Sequence, residues 1–146
     1  MSASDLYEAD ILEWSEQQSR LLRRLAAGER VNDQVDWGNV VEEIESVGNE
    51  QLHAVSSLLT QAMIHRLKAI GWPEARDVDN WQADAERFRG DAIDRFAPSM
   101  RQRLDVASTY RRALRAVPAR MDGNPPLPLP SECPWSLDEL LSDGSC

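Results

Sequence analysis

The chain has 146 residues, enough for one domain with its own hydrophobic core and no need of metal or disulfide staples. Apolar residues at 42% and charged residues at 28% exclude a wholly disordered chain, a collagen-like fibre and a disulfide scaffold. A net charge of -9 makes non-specific nucleic-acid binding unfavourable, because phosphates require clustered Lys and Arg, so nucleic acid is not an expected partner.

The first expected helix covers 5–27. Asp5 and Glu8 form a capping-box-like entry. Tyr7, Ile11, Trp14, Leu21 and Leu25 share one helical face, Gln18 interrupts that row, and Gly28 ends it. After a polar connector, Asp36 caps a long second helix over 37–70, where apolar residues from Val40 to Ile70 keep a helical period. Gly48-Asn49 is its weak point, since a helical Gly costs about 1 kcal/mol against Ala. A kink or break there is an open alternative.

Gly71-Trp72-Pro73 stops the second helix. A third is expected over 78–96, with Trp81, Ala85, Phe88, Ala92 and Phe96 apolar. Pro98 opens a fourth over 98–117, which Pro118 ends. The segment from Gly123 to Pro130 contains four prolines and is expected to run extended, near polyproline II. Ser136 with Glu139 then predicts a short helix over 136–142. No run alternates with period two, so no sheet is expected.

The expected fold class is therefore all-α, an irregular antiparallel bundle of about four main helices. Residues 1–122 would form the bundle, and 123–146 a Pro-rich arm and short helix packed on it, within a single domain overall. Leu127, Leu129 and Trp135 should fasten the arm along the bundle, with Trp135 as its anchor. The rival expectation is that the arm reaches across to a second subunit.

Met1 to Asp5 shows no basic patch followed by an apolar run, so no secretory signal is expected. No apolar stretch approaches the roughly 18–20 residues that cross a bilayer, so no membrane partner is expected. A Cys133–Cys146 disulfide would close only a small loop, and a reduced cytoplasmic protein is the better reading. Charge is unevenly placed. Residues 1–75 carry a net -7, whereas 98–121 carry +5. The basic segment, with Arg111, Arg112 and Arg115, reads either as a solvated face neutralised by acidic neighbours or as a docking patch for an acidic partner.

Several polar residues sit on apolar faces and need partners. Glu43 lies between Val40 and Val47, where an unpaired carboxylate would be costly. An ion pair, a Trp or a backbone N–H would satisfy it; otherwise it is a metal ligand or general base. Asp10, between Tyr7 and Trp14, could accept a bond from either type of aromatic. His65 follows Leu58 and Ala62 and faces inward or near the seam. Glu50 and His53 form a single Glu-x-x-His pair, whereas di-iron bundles need two such pairs and two more Glu. Glu43 and His65 could share a site only if the helix broke at Gly48. No phosphate-binding Gly-rich loop, Cys-x-x-Cys or His-Glu-x-x-His motif is present, and no cofactor is expected.

The ordered set Tyr7-Glu8-Ala9-Asp10-Ile11-Leu12-Glu13-Trp14, Glu42-Glu43-Ile44-Glu45-Ser46-Val47-Gly48, His65 with Lys68, Trp81, Pro98-Ser99 and Cys133-Pro134-Trp135 resembles the bacterial family known as domain of unknown function twenty-nine. The resemblance covers nearly the whole chain. It implies an all-helical fold and a bacterial origin, and it supplies no catalytic residues. The expected function is a non-enzymatic protein-interaction or oligomerisation module, acting as a homo-oligomer or on an unidentified protein partner. The alternative is a metal-binding or enzymatic helical bundle using Glu43 and His65.

Overall fold

A computed structural model of the chain describes residues 1–142. Among these residues the fold is all-α: six α-helices, two single 3₁₀ turns and no β-strand. No helix is long and apolar enough to cross a membrane. The chain forms two compact units, Met1–Asn49 and Glu50–Cys146.

The first unit contains α1 (Ala3–Ala9), α2 (Ile11–Ala26) and the start of α3 (Trp37–Gly71). The expected single helix over 5–27 is thus two helices. Asp10 divides them: its backbone leaves the helical region at φ -153°, and its carboxylate accepts the Glu13 N–H at 3.1 Å, capping α2. A short acidic side chain that can cap a helix competes with continuation of the preceding one. The entry to α1 also differs from expectation. Ser2 is the cap and Asp5 completes the box, in place of Asp5 and Glu8. Trp14, Leu21, Val31, Val35 and Val40 form the core of this unit.

Helix α3 runs unbroken through Gly48-Asn49. Its later part supplies Val55, Leu59, Met63 and Leu67 at four-residue spacing to the core of the second unit. Helices α4 (Val78–Arg95), α5 (Val106–Ala116) and α6 (Leu137–Leu141) add Ala92, Tyr110, Ala113 and Leu140. The expected helix over 98–117 begins instead as a 3₁₀ turn at Pro98–Met100, and α5 starts afresh at Val106. Asp105 causes the restart, as Asp10 does in the first unit: its carboxylate caps α5 by accepting the Ser108 N–H at 3.1 Å.

Residues 123–142 belong to the second unit. The Leu127 N–H donates to the Gly71 carbonyl at 2.8 Å, and the Tyr110 hydroxyl donates to the Pro130 carbonyl at 2.7 Å. Leu129, Cys133, Trp135, Leu137 and Leu141 pack against the core. The C-terminal end of α6 is held by Arg89 of α4, which is only 6% exposed. Its Nη1 donates to the carbonyls of Glu139, Leu140 and Ser142 at 3.2, 2.7 and 2.8 Å. Its Nε and Nη2 bind the two carboxylate oxygens of Glu86 at 3.1 and 2.9 Å.

This bidentate contact with Arg89 holds the Glu86 carboxyl below its ordinary pKa, with Arg66 adding to the effect and partial burial opposing it. A carboxyl whose pKa is lower in the native than in the unfolded chain contributes stability above the unfolded value. That stability is lost as pH falls through the native value. Glu86→Gln should therefore flatten the acid limb of the unfolding curve below about pH 4.5 relative to the unsubstituted chain. Urea midpoints measured from pH 7 down to 3 check this, and parallel curves for the two proteins would contradict it.

Candidate functional site

The first unit gathers its buried polar groups around Trp14 and the start of α3. The Trp14 indole N–H donates to Asp36 Oδ2 at 3.0 Å, and Asn39 Nδ2 donates to the same oxygen at 2.8 Å. The Asp36 N–H donates to Gln18 Oε1 at 2.8 Å. Gln18 is 2% exposed, and its Nε2 has no acceptor among the described residues. The residue that interrupts the apolar row of α2 therefore faces inward and holds the chain at the entry to α3.

Glu43 is half-buried beside this cluster. Its donor is a tyrosine rather than the expected Arg, Trp or backbone N–H: the Tyr7 hydroxyl donates to Glu43 Oε1 at 2.5 Å. The Tyr7 ring lies edge-on to Trp14, with centroids 4.8 Å apart. The hydrogen bond to Glu43 pushes the Tyr7 phenol up to about 12, with burial and the charges of Glu43, Glu42 and Glu8 acting in the same direction. Asp10 is exposed and occupied as a helix cap, so it is not the acceptor for an aromatic donor; Asp36 is.

His65 lies in the second unit, half-buried. Its Nδ1 is 2.8 Å from the Gln61 carbonyl, which can only accept, so Nδ1 carries the proton. Nε2 lies 3.9 Å from Asp84, and the ring centroid is 5.3 Å from that of Phe88. Glu43 and His65 belong to different units, and the break at Gly48 that a shared site requires is absent. Glu50 and His53 are both exposed. Among the described residues no three His, Cys, Asp or Glu side chains converge where they could hold a metal ion.

Trp135 is half-buried, edge-on to Tyr110 at 6.0 Å and covered by the Arg66 guanidinium at 5.1 Å. Cys133 Sγ–H donates to the Trp135 carbonyl at 3.2 Å, and burial pushes the thiol up from its ordinary pKa. This environment favours a protonated structural cysteine over a nucleophile. Cys146, the other half of the disulfide considered above, lies outside the described residues. Arg111, Arg112 and Arg115 are exposed on α5, and Arg112 bonds the Ser56 and Thr109 hydroxyls at 2.7 and 3.3 Å.

Among the groups just described, Asp10 caps α2, Gln18 and Trp14 bind Asp36 at the entry to α3, Tyr7 binds Glu43, and Arg112 binds Ser56 and Thr109. The family-model comparison matches "Domain of unknown function DUF29" over residues 6–144. The chain belongs to the DUF29 family. A solved structure to which the chain is similar is described as an alpha-helical protein of unknown function from Rhodospirillum rubrum. It is 30% identical, with a TM-score of 0.70, and the likeness covers 94% of this chain and 90% of that one. No curated protein matches the chain. The neighbour is alpha-helical, as this chain is, and both descriptions speak of unknown function.

Raising the Tyr7 pKa favours the neutral phenol in the native state. The associated stability is complete below pH 10 and is lost as pH rises from 10 through about 12. Glu43→Gln removes the charge while keeping an acceptor, so the Tyr7 step should move down toward 10. Tyr110, raised mainly by its own burial, should not follow. Absorbance at the tyrosinate band against pH reads both steps, and superimposable curves for the two proteins would contradict the pairing.

Proposed function

We propose that this DUF29 protein is a non-enzymatic helical interaction module that binds a basic amphipathic helix of a protein partner through the first turns of α3. One observation carries the reading. Trp37, Val41, Ile44 and Val47 recur at helical spacing and remain 46%, 49%, 68% and 64% exposed. Four large apolar side chains in an exposed helical row are the usual anchors of a helix-in-groove or helix-on-helix contact. Glu42 and Glu45 flank the row. Residues 1–49 hold eleven carboxylates against four arginines, a net -7. A second copy would bring acid onto acid here, whereas a helix with an apolar stripe and Lys or Arg borders satisfies both features. The cytoplasm is the setting that accompanies this reading.

The test uses the full chain and a synthetic Lys/Leu amphipathic helical peptide as probe. The peptide should bind and raise the melting temperature. Salt should weaken the binding, and Ile44→Glu should weaken it roughly tenfold or more, about 1.4 kcal/mol. Equal binding by the unsubstituted and Ile44→Glu proteins would overturn the reading. So would sedimentation showing a dimer of this chain that Ile44→Glu dissolves, which would give the row to a second copy.

A further inference from the structure

The Pro-rich segment sits in a groove of the second unit made by the end of α3 and by α5. The Trp72 indole N–H donates to the Asn124 carbonyl at 3.0 Å, and the Tyr110 hydroxyl donates to the Pro130 carbonyl at 2.7 Å. The Gly71 carbonyl accepts the Leu127 N–H at 2.8 Å. Gly71 also permits close approach: a Cβ there would lie 2.8 Å from Pro126 Cβ, on a rigid ring that cannot fold away. Aromatic donors aimed at the carbonyls of an extended, proline-stiffened segment are a general means of recognising polyproline II peptides, whose ordering cost is already low.

We propose that Gly71, Trp72 and Tyr110 form a recognition groove for this segment, and that residues 124–130 of a second copy can occupy it in place of the chain's own. Each hydrogen bond just described is made to the main chain of the segment, so an incoming copy reproduces it. Arg89 likewise grips main-chain carbonyls of 139, 140 and 142. The arm and α6 can therefore transfer together with their contacts intact. The exchanged pair would be two-fold symmetric and closed.

Only the connection to α5 must change. It ends in a tight turn in which Met121 and Asn124 exchange both backbone hydrogen bonds at 2.9 Å. Asp122 and Gly123 occupy left-handed conformations, at φ 49° and 81°. This turn is what directs the arm back onto its own groove. A branched residue at position 123 disfavours the left-handed conformation and leaves the segment extended.

The test is sedimentation of the full chain at equal concentrations. Gly123→Val should raise the dimer fraction at least tenfold over the unsubstituted chain. Adding Gly71→Ala, which blocks the groove, should abolish the gain, and adding Ile44→Glu should leave it unchanged. Labelled and unlabelled dimers should mix no faster than the arm and α6 open, as read by hydrogen exchange at the Leu127 and Leu140 N–H groups, because mixing requires their release. Should Gly123→Val fail to fold, deletion of Ala119 shortens the same connection and should give the same dimer. A monomeric, folded Gly123→Val or Ala119-deleted chain would overturn the proposal. So would a dimer that Ile44→Glu dissolves, which assigns association to the α3 row.

Discussion

A single buried guanidinium organises the C-terminal part of the molecule. Helix α6 has five residues, far below the length at which a helix is stable alone in water. Its last carbonyls have no partners within the helix. Arg89 supplies three of the missing donations, and Glu86 supplies the compensating charge. Without Glu86 the buried cation would be costly; without Arg89 the Leu140 carbonyl would be left buried and unpaired. Once α6 is held, Leu140 is fully buried and Leu137 and Leu141 cover the core. The arm is then fixed at both ends, by the Met121–Asn124 turn and by α6, and Trp135 settles between Arg66 and Tyr110.

The first unit follows a different plan. Its small core is ringed by polar contacts that fix where α3 begins: Trp14 to Asp36, Gln18 to the Asp36 backbone, and Tyr7 to Glu43. These interactions use the carboxylates of Asp36 and Glu43 and the amide oxygen of Gln18, whose Nε2 keeps no acceptor among the described residues. They leave Trp37, Val41, Ile44 and Val47 facing solvent. Rigid placement of a helix start with an uncovered apolar row suits recognition, because little order remains to be lost on binding.

The helical periods of α3 and α4 were legible because long amphipathic segments carry a strong signal, and Gly71 and Pro98 mark stops. The split at Asp10 was not, because an acid on a helix face and an acid that caps the next helix look alike until the backbone is seen. Asp105 escaped for the same reason. Glu43 was recognisable as an acid needing a donor, since it interrupts an apolar face. Its tyrosine partner lies 36 residues away, beyond any local pattern. Arg89 gave the least signal. It reads as one more charge on α4, and its carbonyl partners lie 50 to 53 residues downstream. Gln18 offered a usable clue: a polar residue breaking an otherwise apolar helical row marks a buried hydrogen-bond partner.

The central claim is that Arg89 holds α6 and, through it, the arm. Native-state hydrogen exchange on Arg89→Leu tests it most directly, because the leucine keeps an apolar side chain at the site but cannot bond the carbonyls. The account predicts selective loss of protection at the Leu140 N–H, bonded to Ser136, and at the Leu127 N–H, bonded to Gly71, while amides of α3 around Leu59 and Met63 keep theirs. Unchanged protection at Leu127 and Leu140, or an equal loss throughout α3, would contradict it.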